Sequence, residues 1–339
     1  MKNLTKKIMV SAAVIMTLAT IASASECELK LTTSAYINWN VINASQDIGL
    51  YDKIERNHKC KLKITYYPDY LQSLNAYIAG QQEAVTVTNL DHMTAIAPML
   101  GDAVVVQDYS NGNDGLISRN GKTLQDIKGQ EVWMVTKSIS ELLFIEAAKA
   151  KGMDPYKDFK IKHMDLDSNL RAGYDAGKID NIVTWNPALG YLVGQTKYKK
   201  TVVDSSSFPG LIIDQIVLNP KVDDYTIKAD LLRDIWDATA TLINKKSGSQ
   251  YSNFITALAE DMGSTKAEAK DMLKSSKIFT PEEEIAFIGN SMYTLQNQIF
   301  KIARENEFFV NDAPLNFSID GAQGGDEVNG APRVRVVVD

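Results

Sequence analysis

The chain has 339 residues, of which 45% are hydrophobic and 23% are charged, with 20 Gly, 9 Pro and 2 Cys. This composition is that of an ordinary globular protein and excludes collagen-like, coiled-coil and wholly disordered chains, while the length suggests about two domains. The net charge of −6 and the even spread of Lys and Arg argue against nucleic-acid binding, which depends on neutralising phosphates.

Residues 1–24 are predicted to form a secretory signal peptide. Three Lys stand near the start, Ile8–Ala22 is an apolar run, and Ala22–Ala24 has the small-x-small form of a cleavage site. The apolar run is shorter than the roughly 20 residues that a membrane-spanning helix needs. Cleavage would remove three Lys and no acidic residue, so the net charge of the mature chain would be −9. We therefore expect a soluble, exported protein.

Cys27 and Cys60 are predicted to form a disulfide. Both remain after cleavage, and an exported chain folds in an oxidising compartment. They stand just before two apolar runs, Leu29–Ser34 and Leu62–Tyr67, and neighbouring parallel strands would bring them close. The alternative is two free thiols. No metal site is expected, because the three His residues show no ligand spacing.

Short β-branched or aromatic runs alternate with helical patterns along the first two thirds of the chain. The runs predict strands at 29–34, 61–67, 84–88, 103–109, 131–135, 160–164, 180–185, 201–203 and 211–218. Helices are predicted over Gln46–Arg56, Tyr70–Ala79 and Ser138–Lys151. This alternation, with short connections, predicts α/β layers built on parallel sheets.

From about residue 225 the pattern becomes helical. Helices are predicted over Ile227–Lys246, Tyr251–Glu260, Lys266–Ser275, Pro281–Ile288 and Met292–Glu305. The tail, 311–339, is rich in Gly, Asn and Asp and ends in a Val-rich run. Its pattern does not predict a structure.

One internal repeat lies in the first two thirds of the chain. Ala79–Asn89 aligns without gaps on Ala176–Asn186. Each copy has the pattern of a helix end, a Gly cap, an acidic residue and a strand. Because ligands of open sheets lie beyond the carboxyl ends of strands, the repeat predicts two lobes that share a cleft. The alternatives are chance similarity and a structural turn without a ligand role.

Six segments, in this order and behind a signal peptide, resemble the substrate-binding proteins of ABC importers. The resemblance is to the branch that includes nitrate-, sulfonate-, taurine- and pyrimidine-precursor-binding members, and it covers roughly residues 29–300. The segments are Ala44–Tyr51, Leu74–Ala84, Asp108–Ile117, Leu124–Val135, Thr184–Pro187 and Phe208–Asn219.

The resemblance implies an α/β fold of the two-lobed periplasmic-binding-protein type (type II, or Venus flytrap), with a double crossing between the lobes and a helical C-terminal region. It implies crossings near 109–116 and 207–215, lobe I over 26–112 plus 213–310, and lobe II over 113–212. The lobes would close on a ligand by a hinge motion. It further implies a periplasmic monomer that delivers a small molecule to the membrane permease of an ABC importer, without enzymatic activity and without a cofactor.

The family places ligand contacts in the loop after the first strand, and the carboxyl ends of the repeat strands predict a second group of site residues. Aromatic side chains after the first two strands can stack on a planar or cationic group, although packing within lobe I is the alternative role. These residues are Tyr36 and Trp39, expected in a loop, and Tyr67 and Tyr70. The second group ends the two repeat strands and consists of Thr88, Asn89, Trp185 and Asn186.

Three further candidates lie in the crossings. Asn113 and Asp114 stand in the first crossing, where turn formation is the alternative role. Asp214 stands among apolar residues of the second crossing, and a buried carboxylate needs a partner. That partner is either a cationic ligand or a hydrogen bond within the hinge.

Ser138 is predicted to open a helix whose N-terminus, in sulfonate- and nitrate-binding relatives, holds the anion. Ser138 and Glu141 have the Ser-x-x-Glu spacing of a capping box, which would satisfy the N–H groups internally. It would also place a negative charge where an anion binds. The box therefore argues against an anionic ligand, whereas Lys137 favours one.

Together, the acidic and aromatic candidates predict a small, polar, nitrogen-containing ligand of guanidine, urea or amine type. An anionic ligand such as a sulfonate, taurine or nitrate is the first alternative, and a pyrimidine is the second. Two other functions are less favoured. One is an enzyme like the pyrimidine synthases, which share this fold but use a pyridoxal cofactor and a Cys-rich motif. The other is presentation of the ligand to a chemoreceptor.

Overall fold

The computed structural model describes residues 27–96, 101–197, 200–309, 316–319 and 333–336. They form two α/β lobes, each built around its own sheet. The predicted signal peptide lies outside the described residues. In the part of the chain that is described, no helix is long and apolar enough to cross a membrane.

The strands and helices follow one another closely along the chain. The strands are β1 (Cys27–Ser34), β2 (Cys60–Tyr67), β3 (Ala84–Thr88), β4 (Asp102–Ser110), β5 (Asp114–Ser118), β6 (Glu131–Val135), β7 (Lys160–Met164), β8 (Asn181–Trp185), β9 (Val203–Asp204), β10 (Ile213–Leu218), β11 (Ser276–Ile278), β12 (Asn316–Ile319) and β13 (Arg333–Val336). The α-helices are α1 (Ile37–Asp47), α2 (Asp52–His58), α3 (Tyr70–Ile78), α4 (Asn89–Asp91), α5 (Ile139–Ala150), α6 (Asp167–Asp175), α7 (Ala188–Gln195), α8 (Tyr225–Lys245), α9 (Gly248–Asp261), α10 (Lys266–Leu273), α11 (Pro281–Phe287) and α12 (Tyr293–Glu305).

The larger sheet belongs to the first lobe and has the strand order β12-β13-β4-β10-β3-β1-β2, with β11 beside β4. Strands β1, β2 and β3 are parallel, whereas β10 runs antiparallel to both of its neighbours, β3 and β4. The expectation of parallel sheets is therefore wrong in part, because β10 enters this sheet from the other lobe and in the opposite direction.

The smaller sheet belongs to the second lobe and has the order β7-β6-β8-β5-β9. The chain passes from the larger to the smaller sheet between β4 and β5 and returns between β9 and β10. The expected double crossing is thus confirmed. The lobe boundaries at 112/113 and 212/213 stay a prediction.

The two copies of the internal repeat form equivalent units, one in each lobe. In the first, α3 leads through Gly80 into β3, and in the second, α6 leads through Gly177 into β8. The two glycines have φ angles of 71° and 70°, a left-handed conformation that glycine adopts without steric cost. Both strands pair in parallel with a neighbour and end with their carboxyl ends toward the other lobe.

The predicted disulfide is confirmed. Cys27 and Cys60 are direct partners in the parallel register of β1 and β2, and their sulfur atoms are bonded. They lie at the amino ends of these strands, so the bond joins the strands at the end away from the cleft.

The segment after β1 differs from the prediction of one helix over 46–56. It forms α1 and α2, separated by a turn in which Gly49 has a φ of 70°. Most of α1 is buried, including the polar Asn38 and Asn40, so the apolar stripe that identifies a surface helix is missing. Trp39 consequently lies in the first turn of α1 and not in a loop.

One apolar cluster joins the two lobes behind the cleft. It contains Leu90 and Met93 of the first lobe, Ile139 and Leu142 of α5, and Ile299 of α12. Helix α12 therefore packs against both lobes. A separate, larger cluster packs α1, α8, α9 and α10 on the first sheet.

Candidate functional site

An inner cavity of about 20 Å³ lies between the lobes, where the carboxyl ends of β3 and β8 meet the crossing strands. Seven of the sequence-predicted residues line it. A wider, outer cavity of about 330 Å³ lies next to it and shares Tyr70 and Trp185 with it. The walls of the inner cavity are Tyr36, Tyr70, Thr88, Asp114, Ser138, Ile139, Trp185, Ile212 and Asp214.

Aromatic rings form one wall of the inner cavity. The Trp39 ring packs behind this wall, with its centroid 4.9 Å from that of Tyr36 and 5.0 Å from that of Tyr70. Trp185 approaches from the second lobe, and its Nε1 donates a hydrogen bond of 3.2 Å to the carbonyl oxygen of Ala35. Trp185 therefore contacts both the cavity and the opposite lobe.

A buried carboxylate holds two of the wall residues in place. Asp91 Oδ2 accepts hydrogen bonds from the Tyr70 hydroxyl at 2.7 Å and from Thr88 Oγ1 at 2.8 Å. Burial raises the pKa of Asp91, while these two hydrogen bonds lower it. The hydroxyl hydrogens of Tyr70 and Thr88 are thus directed toward Asp91.

Asp114 and Asp214 lie at the base of the inner cavity, Asp108 lies directly beside Asp214, and these three residues form the carboxyl cluster. Asp214 stands between Asp108 of β4 and Thr88 of β3 in the register of the sheet, and Asp114 begins β5. All three are at most 2% exposed. Asp108 accepts a hydrogen bond of 3.0 Å from Asn38, whereas Oδ2 of Asp108 and Oδ2 of Asp214 accept none from any described donor, and the two carboxyl groups are close enough to share a proton.

The carboxyl cluster has no basic partner among the described wall residues, and the pKa values of its three carboxyl groups are raised. Burial raises the pKa of Asp108 to about 7 and that of Asp114 to about 7. Burial and then repulsion from Asp108 and Asp114 raise the pKa of Asp214 well above its ordinary range. The same carboxyl groups, after burial itself, raise the pKa of Tyr36. A cation in the inner cavity would replace the protons that this cluster otherwise retains.

The N-terminus of α5 forms the opposite side of the inner cavity, and the predicted capping box is wrong. Ser138 Oγ donates to the carbonyl oxygen of Val135 at 2.8 Å and does not cap the helix. Glu141 instead accepts from the backbone N–H of Lys137 at 2.8 Å, since Lys137 adopts a left-handed φ of 47°. The first N–H groups of α5, those of Ile139 and Ser140, therefore keep the unsatisfied state typical of a helix N-terminus.

The Lys137 ammonium does not contribute to the cavity. Its Nζ donates to the carbonyl oxygen of Glu307, two residues beyond α12. The positive charge that favoured an anion in the sequence thus points away from the inner cavity.

Five predicted residues do not line the inner cavity. Trp39 packs behind the aromatic wall, and Tyr67 ends β2 outside it. The other three, Asn89, Asn113 and Asn186, form hydrogen bonds at the crossings between the lobes. Asn89 bonds the backbone of residues 211 and 213, and Asn113 accepts from Asn186 Nδ2 at 2.6 Å and donates to Ser276.

The sequence prediction missed Asp108, Ile139 and Ile212. Asp108 carried the same signal as Asp214, an acidic residue within an apolar strand. Asp167, which lines the outer cavity and accepts a hydrogen bond of 2.7 Å from Thr184, was also missed. Among the described residues, no group of three or more His, Cys, Asp or Glu is arranged to hold a metal ion.

No family model matches the chain, and no curated protein matches it. Solved structures, in contrast, match nearly the whole fold. The periplasmic aliphatic sulphonate binding protein SsuA from Escherichia coli aligns with a TM-score of 0.66 at 18% identity, over 85% of this chain and 95% of that one.

Two further structures show the same likeness. The alkanesulfonate-binding protein SsuA from Xanthomonas axonopodis pv. citri, bound to MOPS, has a TM-score of 0.65 at 14% identity, over 84% of this chain and 95% of that one. A ligand-binding component of an ABC-type import system from Staphylococcus aureus has a TM-score of 0.65 at 13% identity, over 84% and 93%. The two-lobed periplasmic-binding-protein fold expected from the sequence is confirmed.

Proposed function

We propose that this chain is an exported solute-binding protein that captures a small nitrogen-containing cation, of guanidine or amine type, between its lobes. The carboxyl cluster at the base of the inner cavity is the observation that carries this proposal. A buried carboxylate without a positive partner is costly to maintain. A ligand with a positive charge supplies the missing partner only when it is bound.

The remaining wall residues fit the same ligand class. Tyr36, Tyr70 and Trp185 present aromatic rings around the cavity, and a cation is attracted to the face of such rings. Urea, the neutral member of the predicted class, would gain the hydrogen bonds but not the charge pairing. We therefore expect the protonated members of the class to bind more tightly than urea.

The role in import rests on the fold and on the N-terminal sequence. Structures with this fold include periplasmic binding proteins and a component of an ABC-type import system. The predicted signal peptide supports a periplasmic location. In this proposal the protein acts as a monomer without chemical conversion of its ligand, and it passes the ligand to an ABC-transporter permease in the membrane.

A second candidate ligand is an anion of the sulfonate type. The free N–H groups at the start of α5 favour it, because a helix N-terminus attracts negative charge, and so do the sulfonate-binding structures with the same fold. Taurine carries both an ammonium and a sulfonate group and would contact both ends of the cavity. The carboxyl cluster disfavours a ligand that carries only negative charge.

Isothermal titration calorimetry with a panel of ligands tests the proposal. The panel contains guanidinium, a primary amine, urea, taurine, nitrate and a pyrimidine, each titrated into the ligand-free protein. We expect micromolar binding of the cations and no binding of nitrate. Binding of nitrate or alkanesulfonates in the absence of any binding to amines would overturn the cationic assignment. Native mass spectrometry of freshly purified protein provides an independent identification of a retained ligand.

A further inference from the structure

We propose that hydrogen-bond donation, and not positive charge alone, selects the ligand, so that the inner cavity binds cations with several N–H groups and rejects quaternary ammonium ions. The inference rests on the proposed cationic ligand and specifies its chemistry. It follows from the way in which four polar wall groups have already used their own hydrogen atoms, whereas the Tyr36 hydroxyl has no hydrogen-bond partner among the described residues.

The hydroxyl groups of the first lobe present acceptor atoms to the cavity. Tyr70 and Thr88 both donate their hydroxyl hydrogen to Asp91. A hydroxyl that has donated its hydrogen keeps only lone pairs for a ligand. Each of these two oxygens also accepts a backbone N–H at 3.3 Å, so one lone pair on each remains available. These two wall residues therefore accept hydrogen bonds from a ligand and do not donate to it.

Two wall residues that approach from the second lobe have also used their donors. Ser138 Oγ donates to the carbonyl oxygen of Val135, and Trp185 Nε1 donates to that of Ala35. Neither side chain has a further hydrogen to offer. A ligand in the cavity thus meets side-chain acceptors from both lobes.

The carboxyl cluster adds the strongest acceptors. Asp214 is 1% exposed and lines the cavity, and its Oδ2 has no hydrogen-bond partner among the described residues. Oδ2 of Asp108, its neighbour across β4 and β10, is in the same state. Asp114 also lines the cavity, and one of its oxygens accepts from Ser110. A bound cation displaces the protons of this cluster, and buried charged acceptors that then stay unpaired carry a large free-energy cost.

A quaternary ammonium ion would satisfy the charge and the aromatic rings but not these acceptors. Its methyl groups cannot donate to Oδ2 of Asp214, which would stay desolvated in the complex. A primary ammonium presents three N–H donors, and a guanidinium presents a planar fork that fits a carboxylate. The arrangement thus differs from an aromatic cage that recognises methylated nitrogen.

Two pairs of ligands test this selectivity by calorimetry. Tert-butylammonium and tetramethylammonium are isomers of equal charge, one with N–H donors and one without, and this matched pair is decisive. Guanidinium and the larger hexamethylguanidinium form the second pair. We expect the N–H member of a pair to bind at least about 100-fold more tightly, the difference expected for leaving charged acceptors unpaired. The Asp214→Asn variant should reduce this ratio to about tenfold or less, because an amide offers fewer acceptor sites.

The control is Asp223→Asn, which makes the same charge change at an exposed residue outside the cavity. It should leave both affinities and their ratio unchanged. Equal binding of both members of each pair would overturn the selectivity while leaving the cationic ligand intact. Absence of binding by every cation would overturn the proposed function and this inference together. If Asp214→Asn fails to fold, the affinity ratios measured with the unaltered protein still test whether N–H donors select the ligand.

Discussion

The two ends of the inner cavity differ in the origin of their electrostatics. At one end, the carboxyl cluster places three ionisable side chains where the crossing strands meet. At the other end, α5 contributes backbone N–H groups whose partial positive charge belongs to the helix and does not titrate. The electrostatic potential at one end therefore depends on side chains and on pH, whereas the potential at the other end depends on the backbone.

This difference would allow one fold to serve ligands of different charge. The helix end depends only on where α5 begins, so a similar backbone supplies it whatever the side chains. The carboxyl end depends on three residues from three strands, β4, β5 and β10. Four changes that act on one end and spare the other are expected to show this separation.

The largest effect is expected from Asp114→Asn, which removes one charge of the carboxyl end. The affinity for a guanidinium or amine ligand should fall by about 100-fold, since a charge-assisted contact in a buried site is lost. Calorimetry measures the change, and the exposed Asp223→Asn is the matched control. A variant that binds the cation as tightly as the unaltered protein would show that the ligand does not contact this end.

The second effect is a loss of cation affinity at low pH. The pKa values of Asp108 and Asp114 are both about 7, so these groups become protonated as the pH falls below that value. The cation must then displace protons, and its affinity should fall by about tenfold per pH unit for each displaced proton. Titrations between pH 8 and pH 5.5 test this, and a nitrate or alkanesulfonate ligand should not show the same loss. A flat profile for the cation would contradict it.

The third effect concerns the stability of the ligand-free protein. The pKa of Asp108 is raised on folding, so its proton stabilises the fold at low pH, and this stabilisation is lost as the pH rises from about 4 through 7. Asp108→Asn should therefore raise the free energy of unfolding at pH 8, on the order of 2 kcal/mol, relative to the unaltered protein. Thermal unfolding at pH 5 and pH 8 measures the difference. An equal change in the free energy of unfolding at both pH values would show that Asp108 contributes through packing and not through its ionisation.

The smallest effect on cation binding is expected at the helix end. Ile139→Pro removes one N–H group at the first helical position, where proline is tolerated. The affinity for a cation should change by no more than about twofold. An anion bound at this end should bind more weakly, because it loses a contact with the helix N-terminus. Ile139→Val keeps the N–H group and controls for the smaller side chain. If Ile139→Pro lowered cation affinity as much as Asp114→Asn does, the two ends of the cavity would not act independently on cation binding.

Local patterns predicted much of the fold and part of the site. The disulfide followed from two Cys at the starts of adjacent strands, and the repeat identified Thr88 and Trp185 as the strand ends that meet across the cleft. Asp108 was missed because its contact with Asp214 arises from the pairing of β4 with β10, which lie far apart in the chain. The capping box at Ser138 failed because the left-handed backbone of Lys137 redirects Glu141, a feature that the Ser-x-x-Glu spacing does not reveal.

The apolar cluster that joins α12, α5 and the segment after β3 has a kinetic consequence. Opening the cleft must separate apolar surfaces of the two lobes, because Leu90 and Met93 lie on one side and Ile139 and Leu142 on the other. Exposing such surfaces to water costs free energy, which favours the closed form even when the cavity is empty. If opening is slower than ligand capture, the observed association rate should reach a plateau at high ligand concentration.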